Sequence, residues 1–214
     1  MLQQVFIDRS LILYQSKVDN IAATDYAGKL LSPNISDCCY LAGGTHQDSK
    51  GVDVEFQGKI LPWWEVSLGY TFNINKQGGS NLNSKGQITN VSEIPLQTQS
   101  PKHLFKLWNI FQLSGNEYLE RLKFGLGVTA QSSTYFAGYA NDPQTLASYN
   151  YRFNGPGYAL IDLLASYQIN KNLTLSLNVN NILDKTYYTT QGSTLGGNWY
   201  GEPRNFLVTL RGKF

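Results

Sequence analysis

From Trp64 onward the chain alternates without a break: Trp64, Val66, Leu68, Tyr70, Phe72 and Ile74 are apolar, while Glu65, Ser67, Gly69, Thr71, Asn73 and Asn75 are small or polar. A period of two puts these sets on opposite faces of a β-strand. The scheme returns with Val52, Val54, Phe56 and Ile60, with Leu122, Phe124, Leu126 and Val128, and with Ile161, Leu163, Ala165, Tyr167 and Ile169. It appears again in Leu173, Leu175, Leu177 and Val179. At the end of the chain Phe206, Val208, Leu210 and Phe214 face away from Leu207, Thr209, Arg211 and Lys213. RSLILYQSK and KHLFKLWNIFQL also read as strands, but of undecided phase: in the second, both Phe105/Leu107/Phe111 and Leu104/Trp108/Ile110 are apolar.

These segments predict about eight strands of roughly ten residues each, longer than the five or six usual in globular sheets and suited to a tilted membrane crossing. Their connections alternate strictly. QGKILPWWE, LSGNEYLERL and QINKNLT are short, whereas 19–49, 76–101, 134–157 and 188–203 are long. Outer-membrane barrels sort periplasmic turns from extracellular loops in this way. The expected fold is therefore all-β, an antiparallel transmembrane β-barrel segment with its apolar face toward lipid and Phe214 at the periplasmic rim. A two-sheet sandwich would also alternate, but it calls for turns every 8–12 residues or so and does not suit the long loops.

Composition agrees with a membrane surface. Aromatic residues make up 13% and charged ones only 15%, against about 25% in ordinary soluble domains. The basic residues are scattered, which removes nucleic acid from the expected partners. No apolar run is long enough for a spanning helix, which bears on helical proteins and not on strands. Asp8 and Arg9 interrupt the apolar N-terminal stretch before a cleavage site, so no signal peptide is read there. Cys38 and Cys39 are adjacent and read as a loop pair of undetermined redox state, with a bridge to a partner elsewhere as the next candidate. Cys38, Cys39, His46 and Asp48 lack the usual spacing of a zinc site, and no metal is expected. With only His46 and His103 available, neither a Ser-His-Asp set nor a carboxylate pair can be assembled, so no enzyme and no cofactor is expected.

Four stretches carry a resemblance: SKGVDVEFQGKILPWWEVSLGYTF, SPKHLFKLWNIFQL, GYALIDLLASYQINKNLTLSLNVNNILDKTYY and YGEPRNFLVTLRGKF. Together they resemble the C-terminal barrel segment of TonB-dependent outer-membrane receptors, in particular those for ferric siderophores. NVNNILDKTYY followed by YGEPRNF and a terminal Phe is the most specific combination. The resemblance implies that residues 1–214 are part of a barrel of about twenty-two strands, located in the outer membrane of a Gram-negative cell. It implies uptake of a ferric siderophore energised through the TonB complex, with the plug and coupling box in an N-terminal part that this chain lacks. It also implies that the terminal strand, with Phe206, Val208, Leu210 and Phe214, is the signal read by the barrel-assembly machinery; Gly212 stands where an aromatic is more usual. The competing function is an autonomous eight-stranded barrel, an adhesin or a passive channel.

In such receptors loop aromatics and cations contact the ferric chelate, which implies binding roles for Tyr135, Phe136, Tyr139, Tyr149, Tyr151 and Arg152 in one loop, and for Trp199 and Tyr200 in another. An aromatic girdle at the membrane interface is the other reading of the same residues. Asn178, Asn180, Asn181 and Asp184 are expected on the lumen side of the penultimate strand, bonded to one another, to a plug or to water. Gly201 and Pro203 are expected to form a turn into the last strand. Gly69, Gly125, Gly127, Ser67 and Ser176 leave the lumen face with small residues, suited to a wide pore or a packed plug.

Overall fold

The structure, a computed structural model, describes residues 7–24, 34, 40–82, 88–95, 100–142, 144–145, 148–190 and 197–213. Cys38, Cys39 and Phe214 lie outside the described residues. The main strands are β1 (Ile7–Thr24), β2 (Tyr40–Leu61), β3 (Trp64–Leu82), β4 (Ile88–Pro95), β5 (His103–Gln112) and β6 (Leu122–Gln131). A hairpin of β7 (Thr134–Asn141) and β8 (Ser148–Gly155) precedes β9 (Tyr158–Gln168) and β10 (Leu173–Asn180). Short β11 (Tyr188–Thr190) and β12 (Trp199–Tyr200) precede β13 (Asn205–Gly212). Sheet order runs β1-β2-β3-β5-β6-β9-β10-β13, with β4 paired to β3. These are the eight strands expected from the alternation, joined as sequential neighbours, and every pairing whose register is described is antiparallel.

The chain divides into two compact units, residues 1–12, 53–72 and 98–214 in the first and 13–52 and 73–97 in the second. The second consists of the continuations of β1, β2 and β3 together with β4, which pairs with β3 from Lys76↔Pro95 to Leu82↔Ile88 around an irregularity at Gln77/Gly79. Much of what the sequence offers as long loop, 40–49 and 76–82, is thus extended strand. Backbone pairing satisfies N–H and C=O groups as well above a membrane as within it, so polar side chains do not end a strand.

In the first unit, register settles the phase of β5. Tyr70 pairs with Phe105, Leu68 with Leu107, and Trp64 with Phe111. These continue as Phe105↔Ala130, Leu107↔Val128 and Phe111↔Phe124, then Leu126↔Leu163, Leu177↔Ala165 and Leu177↔Val208. One apolar surface therefore runs from β3 to β13, and Leu104, Trp108 and Ile110 fall on the other. Phe206, Val208 and Leu210 of the edge strand β13 belong to this surface by register. Aromatics mark both ends of the surface. At the short-turn end Trp63, Trp64 and Phe111 stack with centroids 6.2–6.4 Å apart, and Trp64 Nε1 donates to Asn109 Oδ1 at 3.0 Å, satisfying an amide that would otherwise be stranded among apolar residues. At the long-loop end Tyr70, Phe72 and His103 group together.

The inner face departs from the expected row of small residues. A Cβ on Gly127 would lie 2.1 Å from Cζ3 of Trp108, and one on Gly125 would lie 2.9 Å from Cβ of Leu164. The two glycines are a bed for the Trp108 indole rather than bare pore wall; Gly69 alone of the three faces open space. Around them Ser67, Lys106, Trp108, Thr129 and Asp162 line a concavity of about 740 Å³. Ser166 and Ser176 share a hydrogen bond of 2.9 Å.

The short connections are tight. Pro62 and Trp63 alone join β2 to β3, and Asn170 folds the β9–β10 turn by accepting from Asn172 N–H. Between β5 and β6 lies a helical turn not foreseen in the sequence, α1 (Glu117–Glu120), capped by Asn116, whose side chain accepts from Leu119 N–H at 3.0 Å.

Candidate functional site at the long-loop ends

The β7–β8 hairpin aligns Tyr135 with Asn154, Phe136 with Phe153, Ala137 with Arg152, Gly138 with Tyr151, Tyr139 with Asn150 and Ala140 with Tyr149. Strand alternation then divides the expected ligand residues between two surfaces. On one, the Arg152 guanidinium lies 4.1 Å from the centre of the Tyr135 ring, a cation–π contact, and its Nε donates to Asn154 Oδ1 at 2.9 Å. On the other, Phe136 stacks on Tyr151 at 6.2 Å. At the hairpin tip, Asp142 Oδ1 accepts from Gln144 and Thr145 N–H, and the Thr145 and Gln144 bonds hold its carboxyl below the usual range.

The second hairpin is smaller. Tyr188 pairs with Tyr200 and Thr190 with Trp199 across an irregularity. The Tyr188 and Tyr200 rings stack at 4.7 Å, and their hydroxyls lie 3.1 Å apart; that bond raises the Tyr188 phenol above its ordinary value. Trp199 is exposed.

Both sides of this hairpin are rooted in a clasp made of residues 180–187 and 200–205. Its centre is Asn181, only 3% exposed and left-handed at φ 51°. Asn181 N–H donates to Asp162 Oδ1 at 2.8 Å, its Nδ2 donates to the carbonyls of Lys185 and Glu202, and its Oδ1 accepts from Lys185 N–H. Asp184, also left-handed at φ 52°, accepts from Arg204 N–H at 2.9 Å. Asn and Asp tolerate this backbone region better than other side chains. Asn180 donates to Asn205 at 2.8 Å, and Asn205 to Glu202 and Pro203. Tyr187 lies so close over Gly201 that a Cβ there would be 1.9 Å from the ring, and Gly201 N–H donates to Tyr187 O. Burial, then the Glu202 carboxylate, pushes the Tyr187 phenol up.

The carboxamides expected to line the lumen thus part company. Asn178 and Asn180 belong to β10, but Asn181 and Asp184 lie beyond its end and bind the backbone of the clasp. A local reading could not see this, because the Asn181 partners stand as far as 21 residues away. YGEPRNF is structural, as its turn residues imply, and it is the other half of the same clasp.

This arrangement of strands, short turns and rooted hairpins coincides with a known pattern over most of its length. A family model described as TonB dependent receptor-like, beta-barrel matches residues 10–182. The chain belongs to the TonB-dependent receptor family. As in other members, its place is the outer membrane of a Gram-negative cell. It is 31% identical to the ferric-pyoverdine 358 receptor of Pseudomonas putida, over 97% of this chain and 22% of that protein. It is likewise 31% identical to the ferripyoverdine receptor of Pseudomonas aeruginosa, over 97% of this chain and 23% of that protein. The crystal structure of the latter's outer-membrane receptor bound to ferripyoverdine superposes with a TM-score of 0.74 at 30% identity, over 97% of this chain and 25% of that one. The chain therefore spans roughly a quarter of the length of the TonB-dependent receptors it matches.

Among the described residues, the sequence-based site residues meet in pairs. Tyr135 and Arg152 touch, Phe136 and Tyr151 touch, and Tyr200 touches Tyr188, which the sequence reading left out. The side chains of Tyr139 and Tyr149 lie outside the described residues. No group of His, Cys, Asp and Glu suited to a metal is present among the described residues, and His103 is engaged by Tyr70. The alternation of Tyr149, Tyr151 and Phe153 with Asn150, Arg152 and Asn154 is the signal that would have disclosed the second strand of the hairpin.

Proposed function

We propose that the chain forms part of the barrel wall and two extracellular loops of a receptor that takes up a ferric siderophore, energised through TonB by a part of the receptor outside these residues. The observation that carries this reading is the similarity, over nearly the whole chain, to ferric-pyoverdine receptors. Members of the family are transport receptors; on this reading the chain catalyses no reaction and needs no resident cofactor, the ferric chelate being cargo.

The loop chemistry suits such a cargo. Stacked phenols at Tyr188 and Tyr200 offer flat faces and hydroxyl donors, and Arg152 supplies positive charge on an aromatic support. Phe206, Val208, Leu210 and Phe214 act in assembly rather than in binding, addressing the strand to the barrel-assembly machinery. The test is equilibrium binding of ferric pyoverdine to the full receptor with Arg152→Ala, Tyr200→Ala and Trp199→Ala substitutions. Weaker binding with intact insertion supports the reading. Unchanged affinity with reduced insertion would place these residues in the girdle instead.

A further inference from the structure

The loop-side end of the apolar surface carries charge that nothing described so far uses. Lys102 immediately precedes β5, and its Nζ lies 5.4 Å from the centre of the Phe72 ring. Phe72 is paired with His103, on the outer face by register with Tyr70↔Phe105 and Leu68↔Leu107. The His103 and Phe72 rings touch at 5.1 Å, and Tyr70 Oη lies 2.8 Å from His103 Nδ1. This bond engages Nδ1 and leaves the other ring nitrogen, Nε2, for a further partner. The backbone here is fixed, since His103 N–H donates to Ser132 Oγ at 3.0 Å and Ser132 N–H to His103 O at 2.9 Å. No Asp or Glu lies on this face of β3, β5, β6, β9, β10 or β13 as the registers run.

We infer that Lys102, His103 and Tyr70 form an outer-face site for the phosphate of an anionic lipid in the external leaflet, with Phe72 seating the lysine. Three observations commit the site to a lipid. It is continuous with the surface whose solvent is lipid, it stands at that surface's loop-side edge where headgroups begin, and its donors are cationic or neutral with no acid on the same face of β3, β5 or β6. A lysine near a charged membrane surface is worth about 1 kcal/mol, which is about fivefold in affinity. The inference does not depend on the siderophore: a receptor that binds no pyoverdine would still hold the lipid.

The experiment uses the full receptor containing this segment, purified in neutral detergent and titrated with bisphosphorylated lipid A, with bound lipid counted by native mass spectrometry. Lys102→Gln, which keeps an aliphatic stem over Phe72, should weaken binding about fivefold, and adding His103→Ala should weaken it further. Dephosphorylated lipid A should bind more weakly than the phosphorylated form and equally to all variants. Heat-modifiable gel mobility verifies that each variant is folded, and Lys102→Arg should restore binding. Wild-type affinity in the double variant, or equal binding of the dephosphorylated lipid, would overturn the site. Displacement of lipid A by inorganic phosphate at comparable concentration would also overturn it, by assigning the residues to a free anion.

Discussion

The strand wall and the clasp at its loop end are held by opposite means. On the outer face of the wall no side chain of β10 needs a polar partner; Leu175, Leu177 and Val179 meet Leu210, Val208 and Phe206 across the ladder, and the backbone supplies the bonds. In the clasp, apart from the Tyr187 ring over Gly201, nearly every bond is particular: one buried Asn ties together the Asp162 carboxylate and the backbones of Lys185 and Glu202. A wall of this kind tolerates exchange among apolar residues, while the clasp tolerates little exchange even among polar ones. Position in the membrane explains the division, since lipid cannot compete for hydrogen bonds and water can.

The contrast is broken most directly by moving charge onto the wall. Leu177→Arg, at mid-strand, should destabilise the folded receptor in bilayers by about 2–4 kcal/mol, while Ser176→Arg on the opposite face should cost no more than about 1. Urea titration of the inserted protein measures both, and equal costs would mean that the faces are not lipid and lumen. Next in size, Asn181→Ala removes a buried hub and leaves a left-handed residue without its amide, a loss of about 2–3 kcal/mol. Proteolytic cutting within 181–204 should become faster with insertion preserved. Should Asn181→Ala block insertion as fully as Leu177→Arg, the two regions would be one.

Smaller still, Tyr151→Ala and Trp199→Ala should each cost about 1 kcal/mol of ferric pyoverdine binding, or about fivefold, with stability unchanged. Deleting Phe214 should not alter affinity at all. It should lower the amount of receptor in the outer membrane, as quantified by surface labelling against total protein.

The wall could be read from the sequence and the clasp could not, for the same reason. Alternation is a local pattern that lipid on one side and lumen on the other impose residue by residue, so Leu122, Phe124 and Leu126 announce their face unaided. Where the pattern blurs, at Trp108 and Ile110, glycines stand opposite on the neighbouring strand, which is knowable only from register. Asn181 and Asp184 were recognisable as unusual, being crowded polar residues after an apolar strand. Their bonds to Glu202 and Arg204 required the chain to return. Of the loop residues, the aromatic character of both long loops was visible, but the assignment of Tyr135 with Arg152 to one surface and Phe136 with Tyr151 to another followed from the hairpin pairing alone.

The Trp108 indole resting on Gly127 has a consequence for descent as well as for packing. Neither residue can drift by itself: any side chain at 127 collides with the ring while the ring is there, and a smaller residue at 108 uncovers a hollow that then favours something larger at 127. Among kindred barrels the two positions should therefore change hands together, bulky with bare or middling with middling. A lineage that carried a large residue at both would have to open its sheet at this point.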